Sequence, residues 1–535
     1  MEPIEIETPA GPKQALYFGA PGRPLLGFYH PPRTGHWRGV GVVLCPPIGT
    51  DRTRSDRAYR HLAERLAAAG FACLRFDLFG TGDSGGDEFS PGLLRAWLDD
   101  LGQAVDELRQ RSGAESIGLV GLRLGGTLAM LYAAEHPVDS LILWSPLVSG
   151  AGFVSEVTKL HKLYLRIDPE LAGAPPSHAA GEEALGMLFP RSLIEDLSTI
   201  DLLRVDRCPA RRTLFVDGGN VQGRDALMAR LGELGAAPEL RSHPGHKFLI
   251  TVSHRATVPN EVLDSVVEWL DRAHPQMVPF DRRPPLPSGP SPSGERAPRL
   301  AGPNPLFGIL TPANPTPSPD RPPILILNAG CVNRSGLHRM SVRMARRWAE
   351  AGFDVLRIDL SGIGDSPVAP GETENLTYPP RGLEDIAQAI RSLESNRVIV
   401  AGHCSGGDYA FQVGAREPGV AGALIINPRT FCVLDLTAVE GGEGAPAGSV
   451  EEVPRSLQGM AERGIDAVLL VSRNDPGVAY VDAHAPEAMR GLAGVPGFRR
   501  IDVTGADHAF TPVDAQRTVS DALTEHLTSR YARSS

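Results

Sequence analysis

The chain repeats itself. Residues 63–84 read "AERLAAAGFACLRFDLFGTGDS" and residues 345–366 read "ARRWAEAGFDVLRIDLSGIGDS", an offset of 282 without a gap. Flanking segments pair in the same order: "LLGFYHPP" at 25–32 with "LFGILTPA" at 306–313, "GVVLCPPIGT" at 41–50 with "ILILNAGCVN" at 324–333, and "GLVGLRLGG" at 118–126 with "VIVAGHCSGG" at 398–407. Two copies of one order of elements, spread over 535 residues, call for two cores.

Within a copy, short β-branched runs alternate with stretches of helical period. The first copy predicts strands over 40–45, 72–76 and 116–120, and helices over 56–70, over 95–111 and from 125. That rhythm specifies a mostly parallel sheet flanked by helices. Runs such as "GVVLC" and "ILILN" are apolar throughout, as strands covered on both faces must be. The expected fold class is therefore α/β, two tandem domains covering residues 1–275 and 304–535. Between them, residues 276–303 are rich in Pro, Gly, Ser and charge, cannot build a core, and read as a semi-rigid linker.

Charge and composition exclude several classes. Hydrophobic residues make up 42% and charged residues 22%, the balance of a globular protein, and the net charge of −10 leaves no basic footprint for nucleic acid. No apolar run reaches membrane-span length, and "MEPIEIETPAGPKQ" lacks the basic and apolar regions of a signal peptide, so a cytoplasmic protein is expected. The six cysteines have no metal-ligand spacing, neither a metal nor another cofactor is expected, and most of them read as reduced, small buried hydrophobes. The sixth, Cys404, sits in a motif.

In "GHCSGG" an apolar run ends in a Gly-x-nucleophile-x-Gly elbow with two candidates side by side. Gly402 and Gly406 at minus two and plus two select Cys404. Choosing Ser405 would place His403 at the crowded minus-two position, so Ser405 is read as lending its backbone N–H to an oxyanion. Each copy also carries Asp-x-x-Gly-x-Gly-Asp-Ser after an earlier strand, at Asp77–Ser84 and at Asp359–Ser366.

Taken in this order, the landmarks resemble the α/β-hydrolase superfamily, once per copy. More closely, "PPIGTDRTRSDR", "FDLFGTGDSGG" and "GLRLGG" resemble one of the two hydrolase-like families that accompany exosortase systems in bacteria, Arg at the elbow included. "NAGCVNRSGLHRM" and "IDLSGIGDS" with a Cys elbow resemble the other. The resemblance implies an inactive and an active partner fused in one chain, and no firmly assigned reaction. It also implies a chain order of nucleophile, acid and histidine. Asp475, in the turn after "AVLLVS", and His508, after "RRIDV", stand in those places. A thiol needs such partners, because His508 takes or shares its proton while Asp475 fixes the imidazole tautomer. Asp502 and Asp507 read as surface or capping acids. Gly330, in the turn after "ILIL", is expected to give the second oxyanion N–H, and Cys331 reads as a bystander.

The first copy places Arg123 where the nucleophile should be and Asn220 and Val221 where the acid should be, leaving only His246 of the trio. A guanidinium cannot attack a carbonyl. Two readings of Arg123 stay open: a salt-bridged relic, or an anchor for an anion, with His246 beside it. Arg334 and its neighbours Arg339 and His338, like Arg52, Arg54 and Arg57 of the first copy, are candidates for attracting an anion at a pocket mouth, or are solvated helix-start charge. Residues 147–207 form a longer insertion than 428–461 and are expected to cap the first pocket, with helices in "EVTKLHKLYLRI" and "SLIEDLSTIDLL".

The functional expectation is a cysteine-nucleophile acyl-transfer enzyme: a thioesterase, a transacylase or a cyclising release enzyme. Its partner would be an ester- or thioester-linked acyl chain, carrier-protein-bound in one form, and assembly into a homo-oligomer stays open. A carboxylesterase or lactone hydrolase of the same fold, of which dienelactone hydrolases are a cysteine precedent, is the alternative. The rival class is a non-catalytic binding or scaffold protein.

Overall fold

The computed structural model describes residues 4–6, 11–33, 35–168, 171, 180–219, 221–243, 256–280, 286–298, 300, 302–314, 321–431, 452–473 and 475–532. It divides into two compact units, residues 1–163 with 176–292, and residues 164–175 with 293–535.

The first unit holds strands β1 (Ile4–Ile6), β2 (Lys13–Phe18), β3 (Leu25–His30), β4 (Val40–Cys45), β5 (Ala72–Phe76), β6 (Ser116–Leu122), β7 (Val138–Trp144), β8 (Ala210–Asp217) and β9 (Ala237–Ser242). Among the described residues they form one sheet in the order β1-β2-β3-β5-β4-β6-β7-β8-β9. Pairing is antiparallel from β1 to β5 and parallel beyond it. The second unit repeats this with β10 (Gly308–Thr311), β11 (Ile324–Ile326), β12 (Val355–Ile358), β13 (Val398–His403), β14 (Val420–Ile426), β15 (Asp466–Ser472) and β16 (Phe498–Val503). Their order is β10-β12-β11-β13-β14-β15-β16, with β10 alone antiparallel.

Both faces of each sheet are covered, which is why the central strands are apolar throughout. Val43 and Leu74 pack on one side with Trp97 and Leu101 of helix Leu93–Ser112. Val42 and Leu44 pack on the other with Leu62 and Leu66 of helix Gly49–Ala68. In the second unit Val400 and Ile425 meet Tyr409 and Val413, while Ile399 and Leu424 meet Trp348, Leu523 and Leu527. Helix Gly49–Ala68 begins earlier than the expected residue 56, because its first turns carry polar residues and its buried apolar stripe starts at Ala58 and Tyr59.

The repeated Asp-x-x-Gly-x-Gly-Asp-Ser segment turns out to be a loop anchor. In the second unit the Asp359 carboxylate accepts the N–H groups of Arg334 (2.6 Å) and Asp365 (2.9 Å) and pairs with the Arg334 guanidinium at 2.7 Å. Arg334 also pairs with Asp365 at 3.0 Å and lies 4.4 Å over the Phe307 ring. Ser366 Oγ donates to the Asp359 carbonyl and accepts from Phe307 N–H. The first unit repeats the core of this arrangement: Arg52 Nε to Asp77 at 2.9 Å, Asp83 N–H to Asp77 at 2.9 Å, Ser84 Oγ to the Asp77 carbonyl at 2.6 Å, and Leu26 N–H to Ser84 Oγ, although the Arg52 N–H turns instead to the Ile48 carbonyl. The glycine before the second Asp is required, since a Cβ on Gly364 or Gly82 would fall on the first Asp carboxylate, and both have positive φ. The expectation for Arg334 is thereby corrected. It is buried and committed to two carboxylates rather than lining a pocket mouth, because the fold needs a cation to neutralise acids it has buried. Arg52, partly buried, is spent on the single carboxylate of Asp77, and Arg57 on the Ala256 carbonyl.

The linker is corrected as well. Arg111 donates to the Leu286 carbonyl and Gly289 N–H to the Tyr17 carbonyl, so that end adheres to the first unit. At the other end Glu295 is fully buried and bonded to Thr311, Arg346 and Arg357, and Leu300 is in the core of the second unit. Its Pro-rich composition prevents regular structure without preventing packing. The insertion 147–207 contains helix Gly150–Ile167, a hairpin of Gly181–Ala184 with Met187–Pro190, and helix Arg191–Ser198. A 3-10 turn at Leu202–Arg204 is capped by Asp201. Much of the counterpart, 432–451, lies outside the described residues.

Asp359→Ala would leave Arg334 buried with one carboxylate instead of two. Equilibrium urea unfolding should show a loss of about 3–5 kcal/mol, with a comparable loss for Asp77→Ala, the corresponding change in the first unit.

Candidate active site

Strand β13 ends at His403, helix Ser405–Arg416 follows, and Cys404 alone makes the turn with φ 59° and ψ −123°. Non-glycine residues occupy this region only when the surroundings over-determine it. Here Cys404 N–H donates to the Ile426 carbonyl (3.1 Å), and its own carbonyl accepts from Gly407 (2.9 Å) and Asp408 (3.2 Å). Strand and helix cross so closely that a Cβ on Gly402 would overlap the Gly406 backbone, and one on Gly406 would come within 2.5 Å of the Asn328 carbonyl. The glycines of the motif are thus a packing requirement of the crossing.

The ends of β15 and β16 bring the other two expected residues to this point. Asp475 caps helix Pro476–His484, accepting Gly477 N–H at one oxygen (3.2 Å), and is closed to solvent. Its other oxygen lies 2.5 Å from His508 Nδ1. His508, about a third of whose side chain is open (34%), also lies within electrostatic reach of Cys404. Burial opposes its charge, but the hydrogen bond to Asp475 and the electrostatic influence of Cys404 and Asp475 raise the imidazole to about 10.

Ser405 is buried, and its hydroxyl accepts the Gly330 N–H at 2.9 Å. The Gly330 N–H is therefore already taken by the side chain of the residue expected to supply only its backbone. Cys331 Sγ donates to the Asn375 carbonyl at 3.2 Å. Asp507 accepts both N–H (2.6 Å) and Oγ–H (2.7 Å) of Thr511 and shapes the turn after His508, while Asp502 pairs at the surface with Arg500.

Sequence reasoning passed over Asp408, Tyr378, His403 and Asn427. Asp408 accepts the Tyr378 hydroxyl (2.6 Å) and the N–H groups of Thr430 (2.9 Å) and Phe431 (2.7 Å), tying the loop after β14 to the elbow helix. Burial raises its carboxyl to about 6, against the pull of those three hydrogen bonds. Its place one turn into the elbow helix was a signal. Asn427 had none, since its partners are distant in sequence. Among the described residues no group of three His, Cys, Asp or Glu is placed to hold a metal ion.

In the first unit Arg123 adopts nearly the same backbone, φ 53° and ψ −123°. Its guanidinium donates to Asp51 (3.2 Å) and to Glu156 (2.5 Å), so its charge is already matched by two carboxylates. Asp217 accepts Gly219 N–H (2.8 Å) and pairs with Arg224 (2.7 Å) in its own turn. His246 and Asn220 lie outside the described residues.

The family described as "Serine aminopeptidase, S33" matches the chain twice, over residues 52–199 and 325–439, once around each elbow. Each unit is an α/β-hydrolase fold. The family description names serine, whereas the two elbows here carry Arg123 and Cys404. An uncharacterized protein of Saccharomyces cerevisiae is 36% identical over 118 residues, 19% of this chain and 36% of that protein, so the chain spans about a third of that relative's length. Two solved structures also align. Est1E from Butyrivibrio proteoclasticus has 20% identity and a TM-score of 0.33, covering 48% of this chain and 98% of that one. A thermostable carboxyl esterase from Bacillus coagulans has 16% identity and a TM-score of 0.34, covering 49% and 98%. No described helix is long and apolar enough to cross a membrane.

Because His508 is raised from 6.5 to about 10, the folded protein holds a proton that the unfolded chain releases. The stability this supplies is complete below the unfolded value and is lost as pH rises through the folded one. Urea midpoints measured from near-neutral to strongly alkaline pH should fall across that window in the wild type. They should fall less in Asp475→Asn.

Proposed function

We propose that the second unit is a cysteine-nucleophile acyl-transfer enzyme, acting as a thioesterase, a transacylase or a cyclising release enzyme on an ester- or thioester-linked acyl chain. The observation that carries this reading is the convergence of three strand ends that sets His508, bonded through Nδ1 to Asp475, within electrostatic reach of Cys404 at the elbow. An imidazolium in contact with a sulfur is the partner that holds a thiolate.

In the proposed reaction the Cys404 sulfur attacks the acyl carbonyl and forms a C–S bond. The carbonyl electrons move to oxygen, which is received by the Ser405 N–H and by the Gly330 N–H once the latter exchanges its bond to Ser405 Oγ. Collapse expels the alcohol or thiol, which takes the proton from His508. The resulting thioester is attacked by a second nucleophile, water or an amine, alcohol or thiol, deprotonated by His508, and Cys404 is restored. Thioesters yield to amines and thiols more readily than to water, which favours transfer and release over simple ester hydrolysis. A carboxylesterase or lactone hydrolase would use the same residues. Carrier-bound acyl chains fit this chemistry as substrates.

The first unit is proposed to be inactive. With Arg123 paired to Asp51 and Glu156, its elbow has no nucleophile, and the insertion 147–207 is read as its cap. The likeness of the two copies to the exosortase-associated families belongs to this same reading, as does a cytoplasmic site of action.

Treatment with iodoacetamide or a small acyl thioester, followed by intact-mass measurement, should give one adduct at Cys404. Cys404→Ala should abolish it, and His508→Ala should slow acylation by about 10²- to 10⁴-fold. A non-catalytic binding protein would show no such adduct, and Cys404→Ala would behave as wild type in every acyl-transfer assay.

A further inference from the structure

Asp475 holds the ring of His508, but other groups hold its backbone. The His508 carbonyl accepts two hydrogen bonds, from His403 Nε2 at 2.7 Å and from Asn427 Nδ2 at 2.9 Å. A carbonyl can only accept, so His403 carries its proton on Nε2. Burial and the neighbouring His508 charge push the His403 imidazole down to about 3, which keeps it neutral. Its ring lies 5.2 Å from Phe510 and 5.4 Å from His508.

Asn427 is fully buried at φ 38°, and it ties the same segment to a third strand end. Its Oδ1 accepts Ser472 N–H (2.7 Å), its Nδ2 donates to Ser472 Oγ (2.9 Å), and Ser472 Oγ donates to the Asp507 carbonyl (2.8 Å). The ends of β13, β14 and β15 therefore converge on the carbonyls of residues 507 and 508. The unit without a nucleophile lacks these groups. Leu122 precedes Arg123, and Ser145, whose N–H meets the Val216 carbonyl as that of Asn427 meets Leu470, stands in place of the amide.

We propose that His403 and Asn427 are positioning residues that clamp the His508 carbonyl and so hold its ring in line with the Cys404 sulfur. The proposal rests on the reading of Cys404 as nucleophile. The physical reason is that Asp475 constrains only one ring nitrogen, leaving the loop free to pivot about it. Pinning the carbonyl removes that freedom, and a displacement of about 1 Å at a reacting group costs on the order of 10²-fold in rate.

The test compares full-length His403→Leu, His403→Gln and Asn427→Ser with wild type. Readouts are the rate of Cys404 alkylation by iodoacetamide as a function of pH, kcat and KM with a small acyl thioester, and the urea midpoint as a check on folding. The titratable groups facing His508 are Cys404, Asp475, His403 and Asp408, and Asn427→Ser removes none of them. Expected are about 10- to 100-fold losses in alkylation rate and kcat for His403→Leu and Asn427→Ser. KM should change little, and the alkaline limb of the pH profile should move down. His403→Gln, whose amide N–H can reach the same carbonyl, should recover most of the loss. Folded His403→Leu and Asn427→Ser proteins with wild-type rates and pH profiles would overturn the clamp, as would His403→Gln being as impaired as His403→Leu. Should Asn427→Ser not fold, the His403 pair decides. Cys404→Ala separates the two ideas: alkylation and turnover surviving in it would sink the nucleophile reading, whereas their loss alongside unimpaired clamp variants would sink the clamp alone.

Discussion

One backbone residue in each unit carries the constraint on which the rest of the site depends. At Cys404 and at Arg123 the chain passes from a central strand into a helix through a single residue at positive φ and ψ near −123°. Such a conformation is held, not chosen, and the holding is visible in the bond from the turn's N–H to the neighbouring strand and in glycines with no room for a Cβ. The side chain at the turn is thereby presented at the C-terminal edge of the sheet, the edge at which loops from parallel strands gather. That the turn survives with Arg123 in it argues that the strain is imposed by strand–helix packing and does not depend on chemistry.

A second device, the buried Asp–Arg anchor, explains why the duplication is best preserved where no reacting group lies. Asp77 and Asp359 each gather an arginine, two backbone segments and a serine into one knot, closed to solvent in the second unit and slightly open in the first, joining the loop after the first parallel strand to the loop after the second. In the second unit this fixes the segment containing Gly330 against the elbow, where Gly330 meets Ser405. Buried carboxylates of this kind are costly unless every lone pair has a donor, which accounts for the strictness of the motif.

The turns that carry Cys404, Asp475 and His508, though not their proposed roles, were legible because motif spacing and chain order are local properties that carry over to strand ends. Arg334 was not, since a basic residue beside an elbow loop reads alike whether it faces solvent or two buried acids. Glu295 and Leu300 were hidden by a Pro-rich composition that forbids regular structure but not burial. Asn427 was invisible for a different reason: its bonds reach Ser472 and His508, separations at which no local pattern exists.

By itself, the sequence determined the duplication, the layered architecture and the identity of the residue at each elbow, because period, β-branching and glycine spacing are local properties of the chain. Only the tertiary structure decided which polar groups are spent on one another: Arg123 on Asp51 and Glu156, Arg334 on Asp359 and Asp365, Gly330 on Ser405, and His403 with Asn427 on the carbonyl of His508. Hydrogen bonds and ion pairs are short-ranged and directional, so their partners are settled only when strand ends far apart in the chain are brought within about 3 Å of one another.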